Sequence, residues 1–224
     1  MKFILTAGFG LACIFHQAGA QELGTRIKTF DPARANDRTG LSPAENARAT
    51  MGDYAQCLVQ KSRSRTFAFL SHMPGTKAAT DAAQNLVVSE CLDDRGLKFP
   101  HVILRGGLYR ALYRKDFEYR NVTLQSEPLD LSKDEGFSSP GYVALRQFGE
   151  CVVRADPVDS QNIVITSVGS EAEKTAFKNL TPHYSPCLQQ GLEVEFSKSA
   201  IAGLIAEILY RLSAPAEPAS TGRK

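Results

Sequence analysis

Residues 54–60, YAQCLVQ, and residues 148–154, FGECVVR, are two versions of one stretch: aromatic, small, polar, cysteine, two aliphatics and a polar end. From each cysteine the same interval leads to a glycine, Gly75 or Gly169, and then to a helix-capping hydroxyl, Thr76 or Ser170. Ala78 and Ala172, Ala82 and Ala176, and Leu86 and Leu180 follow in step. After a short insertion in the second copy come Cys91 and Cys187. The match then resumes with Phe99 and Phe196, Gly106 and Gly203, and Leu112-Tyr113-Arg114 with Leu209-Tyr210-Arg211. Self-similarity in this order and spacing marks a duplicated structural unit.

The unit reads as helical. Ser42-Pro43-Ala44-Glu45 is a capping box with proline at the first helical position, and Ser139-Pro140 opens the second copy in the same way without the glutamate. A short apolar segment follows, Phe67, Phe69 and Leu70 in one copy and Ile163, Val164 and Ile165 in the other. The β-branched run alone fits a strand equally well, but the Arg/Ala/Leu surroundings of the first copy favour a helix in both. A third helix starts at Thr76 or at Ser170-Glu171-Ala172-Glu173, a second capping-box pattern. The fourth is the clearest: Ile201, Leu204, Ile205, Ile208, Leu209 and Leu212 recur at helical spacing, matched by Leu104, Gly107, Leu108, Ala111 and Leu112. The expected fold is all-α, two tandem four-helix units packed together.

Lys2, the apolar run to Phe15 and the small residues Ala18-Gly19-Ala20 form a secretory leader with cleavage expected after Ala20. Lipidation at Cys13 fits less well, because Gly10 stands where a large aliphatic residue is usual. The expected organisation is a leader at 1–20, a flexible segment at 21–40, helical units at 41–116 and 139–212, a connector at 117–138 and a disordered tail at 213–224. No later stretch is long and apolar enough to span a membrane. Four cysteines remain in an exported chain, which points to disulfides. They allow three pairings, and the duplication selects Cys57 with Cys91 and Cys151 with Cys187, since a single ancestral unit had to be self-sufficient. A bridge closing a loop of about 35 residues contributes about 3–4 kcal/mol in the chain-entropy model.

The formal net charge is +2, and loss of Lys2 with the leader brings it within about one charge of neutral, so no nucleic-acid partner is expected. C-x-x-C, C-x-x-C-H, close Cys/His pairs, G-x-S-x-G and phosphate-loop patterns do not occur, so no catalytic, metal or cofactor site is assigned. His72, His101 and His183 are isolated. Asp93-Asp94 and Glu171/Glu173 are carboxylate pairs; the second sits in a helix first turn, where acids are favoured by the dipole. Asn121 and Asn179 fall in glycosylation-type triplets, which carry meaning only in a eukaryotic secretory host. The most uneven composition lies in the fourth helix of the first copy, where Arg105, Tyr109, Arg110, Tyr113 and Arg114 crowd together. Tyr and Arg are enriched at protein interfaces, which makes these five the candidate interaction face. The competing reading is a solvated face whose arginines pair with Asp116 and Glu118.

The cysteine-spaced unit ending in a G-x5-L-Y-R helix resembles exported proteins of alphaproteobacteria over residues 42–212. The resemblance implies a periplasmic location and brings no activity with it. The expectation is a non-enzymatic, envelope-associated module that binds a partner protein or stabilises an assembly. A carrier for a small apolar or haem-like ligand held between the units is the second reading, and a hydrolase assembled only in space is the third.

Overall fold

The computed structural model describes residues 38, 40–92, 100–131, 140–189 and 195–213. Within them the chain forms helices α1 (Pro43–Lys61), α2 (Arg63–Leu70), α3 (Lys77–Leu86), α4 (His101–Phe117), α5 (Pro140–Ala155), α6 (Pro157–Ile165), α7 (Glu171–Cys187) and α8 (Lys198–Ser213). A short 3-10 turn, Ser89–Cys91, follows α3, and no strand occurs among the described residues. The leader and Cys13, residues 21–37, Asp93-Asp94, Phe99, the Ser139 cap, residues 132–138 of the connector and the tail from 214 lie outside the described residues.

Local chemistry sets the helix starts. Ser42 and Glu45 form the reciprocal capping box on α1, with Pro43 behind the cap. Thr76 Oγ1 accepts from Ala79 N at α3, and Ser170 Oγ accepts from Glu173 N at α7. Gly75 and Gly169, just ahead of these caps, take φ of +86° and +79°, a left-handed conformation that glycine adopts without a steric penalty. Glu173 departs from the simple capping box: its carboxylate accepts from Gly169 N at 2.8 Å and pairs with Arg48 of α1. One acid thus ends the α6–α7 turn and binds the two halves of the chain together.

Both disulfides have the expected pairing. Cys57 of α1 joins Cys91 with Cα atoms 5.7 Å apart, and Cys151 of α5 joins Cys187 at 5.6 Å. The surroundings differ: α3 stops at Leu86 and leaves Cys91 to the 3-10 turn, whereas α7 continues to Cys187 itself.

The most extensive helix contact is α4 on α8, and α1 on α4 and α5 on α8 flank it. Ile201, Leu204, Ile205, Ile208, Leu209 and Leu212 are all buried, and so are Ala202, Ala206 and Glu207 on other sides of α8. A helix buried on nearly every side is a central one. Gly106 and Gly203 meet where α4 and α8 cross, and a Cβ added to Gly106 would lie 2.5 Å from the Gly203 Cα. The buried apolar side chains of both halves join in one core.

Candidate functional site

A cleft of about 480 Å³ opens between α1, α4 and the α6–α7 turn. Its volume lies in the range of small-ligand and peptide-side-chain pockets. Gly52 of α1 makes room for it, Gly107 of α4 lines it where α1 packs close through Met51 and Ala55, and Ser167 and Val168 close one end. Leu41, Ala49, Val59 and Ala111 line it alongside the exposed amides of Gln56 and Gln60.

Four cations border the cleft, Arg38, Arg110, Arg114 and Lys115, against two carboxylates, Asp53 and Glu118. Both carboxylates are engaged: Asp53 pairs with Arg38, and Glu118 with Arg114 at 3.3 Å. Arg110 donates to two neutral acceptors, the Val164 carbonyl at 2.8 Å and the Thr166 carbonyl, at the end of α6. Burial pushes its guanidinium down to about 10; the Glu173 carboxylate opposes this shift and the Arg48 cation adds to it. Lys115 is exposed at the rim. Among the described residues neither Arg110 nor Lys115 forms an ion pair, so positive charge is left over.

The five residues of the candidate interaction face separate. Arg105, Tyr109 and Tyr113 point inward and are 3%, 7% and 1% exposed, so they cannot present a surface to a partner. Arg110 and Arg114, on the other side of α4, are half-buried and line the cleft. The reason for the inward set is Glu207 of α8. It is buried, and it accepts from Arg105 Nη2 at 3.0 Å and from Arg146 Nη2 of α5 at 2.9 Å. Arg105 also donates to the Leu70 carbonyl at 2.6 Å, capping the end of α2. Burial opposes the Glu207 charge, but the Arg105 and Arg146 cations outweigh it and hold the carboxyl below the usual glutamate range. Tyr113 Oη accepts from Gln161 Nε2 at 2.9 Å. Asp116 is taken by Arg63 rather than by a residue of its own helix.

Other candidates disperse. His101 packs edge-on against Phe69, and the described residues contain no group of three or more His, Cys, Asp or Glu placed to hold a metal ion. Glu171 pairs with Lys174 in solvent while Glu173 is buried with Arg48, so the two do not converge. Gly52, Gln56, Gln60 and Gly107 belong to no catalytic, metal or cofactor motif. The only sequence signal is comparative: in the repeat register Gly52 stands where the second copy has Arg146, and Gly107 where it has Leu204. Comparison of the chain with protein-family models, curated proteins and solved structures gives no match.

Proposed function

We propose that this chain is an exported, non-enzymatic binding module of the cell envelope, built from two four-helix units, with the α1–α4 cleft as the surface that receives a protein partner. The observation that carries the reading is the cleft itself, bordered by two cations that no described carboxylate neutralises. Both of its acids are tied to arginines and its lining holds no histidine, so the residues present bind charge rather than move protons. Support for the two-unit architecture comes from Gly106 and Gly203. They are equivalent in the repeat and touch each other, the pattern of a two-fold contact between like surfaces. The two disulfides fit an oxidising, extracytoplasmic location. No helix among the described residues is long and apolar enough to cross a membrane.

The test is site-specific photo-cross-linking in cells that make the full chain. A photoreactive residue at Gln56, exposed within the cleft, is expected to give a covalent adduct with an envelope protein, and one at Ala78, exposed on α3 outside the cleft, is expected to give none. Equal labelling from both positions, or none from Gln56, overturns the proposal.

A further inference from the structure

The α1–α4 cleft has a counterpart on the second half of the chain, and that counterpart is already filled. In the repeat register Gln56, Gln60 and Lys115 correspond to Glu150 and Arg154 of α5 and Leu212 of α8. Across those three residues lies the non-helical connector, held by its main chain. Arg154 donates to the Gln125 carbonyl at 2.9 Å and to the Glu127 carbonyl at 2.7 Å. Gln125 N donates to the Leu212 carbonyl at 3.0 Å, and the Glu150 carboxylate accepts from Leu129 N at 3.2 Å. Val122, Leu124 and Leu129 of the same segment pack against the core. The remaining depth of this second groove is taken by Arg146, which reaches Glu207, and by Leu204.

The first groove lacks those fillers. Glycine replaces Arg146 at position 52, where an added Cβ meets nothing within 4 Å, which is why space remains; Gly107, in place of Leu204, lets Met51 and Ala55 of α1 pack close instead. Arg110 replaces Glu207, which reverses the charge at the bottom. At the rim, two glutamines replace the charged pair that grips the connector. A glutamine side chain both donates and accepts, so the pair suits a peptide backbone without fixing its direction. The caps correspond as well: Arg105 donates to Leu70 and His72 carbonyls at the end of α2, and Arg110 donates to the equivalent Val164 and Thr166 carbonyls at the end of α6.

From this correspondence we infer that the α1–α4 groove receives a non-helical peptide segment of a partner protein, laid down as the connector lies on α5 and α8, with an acidic side chain directed to Arg110 and Lys115. The inference rests on the binding reading above and names the chemistry of its partner. A backbone held by side-chain amides gives affinity with little sequence demand, and the half-buried Arg110 cation supplies the selectivity.

The probe is a fluorescent synthetic peptide with the sequence of residues 121–131, NVTLQSEPLDL, titrated into the full chain and followed by anisotropy. The second groove is closed to it by its own tethered copy, whose effective concentration is high. Saturable binding is expected, weakened at least about tenfold by Gly52→Leu, which fills the groove with an uncharged side chain, and by Lys115→Glu, which reverses charge at the rim. Gly52 has nothing within 4 Å of an added Cβ, so its variant keeps the fold, checked by an unchanged melting curve. A control peptide with Gln and Asn at its two acidic positions is expected to bind several-fold more weakly. Binding that ignores Gly52→Leu, or equal binding of the neutral peptide, overturns the inference. So does saturable binding of free glutamate or inorganic phosphate, read by calorimetry, with no peptide binding, which would make the cleft a small-anion site. If the Gln56 cross-link forms but the peptide does not bind, the acidic-segment chemistry fails and the binding reading stands; if neither is seen, both fail.

Discussion

Replacing Glu207 by glutamine removes a buried carboxylate with which both Arg105 and Arg146 pair. Breaking a buried ion cluster in this way destabilises by about 3–5 kcal/mol, read as a lower denaturant midpoint. Acid should act on the same residue. Because the folded-state carboxyl lies below its ordinary value, its contribution is present above the unfolded pKa and is lost as pH falls through the folded one. Stability of the native chain is therefore expected to fall below about pH 5, with a steeper slope than in Glu207→Gln. The α4–α8 crossing makes a second test at this scale. Gly106→Ala forces a methyl against the facing backbone and is expected to cost about 1–3 kcal/mol. Gly52→Ala, in an open helical position, should instead stabilise by about 0.5–1 kcal/mol. Equal effects of the two would remove the close contact from the account.

At the scale of elements, helix starts were readable because each is encoded within four residues. Ser42, Thr76 and Ser170 cap as their neighbours imply, and the Ile163–Val164–Ile165 run is helical because it is bounded by the Asp156 cap and packed between α7 and α8. The inward turn of Arg105, Tyr109 and Tyr113 was not readable, since their composition suits a surface and the acid that draws in Arg105 comes from α8, far along the chain. The cleft was hidden for a related reason: it depends on a side chain that is missing, at Gly52, and an absence shows only beside the second copy. The two positive-φ glycines separate a local from a tertiary cost. Gly75→Ala meets only backbone strain, about 1–2 kcal/mol, with nothing within 4 Å of its Cβ. Gly169→Ala adds a clash with the Leu41 side chain, and its melting temperature should drop further than that of Gly75→Ala.

The whole molecule shares one core although its bridges are internal to each half. Calorimetry is therefore expected to show a single transition, and Cys57→Ser with Cys91→Ser should lower that transition as a whole, by about 3–4 kcal/mol, rather than split off a first half. Two resolved transitions would mean that the halves melt independently. The same layout governs how the chain reaches its fold. Cys57 and Cys91 are 34 residues apart and can meet early, whereas the glycine side of α4 must wait for α8. Until then the groove around Gly106 fits an α8 lent by a neighbouring molecule as well as its own, the route to an exchanged dimer. Refolding at higher protein concentration is therefore expected to raise the share of swapped pairs, read by size-exclusion chromatography, more than a change in the supply of oxidant does.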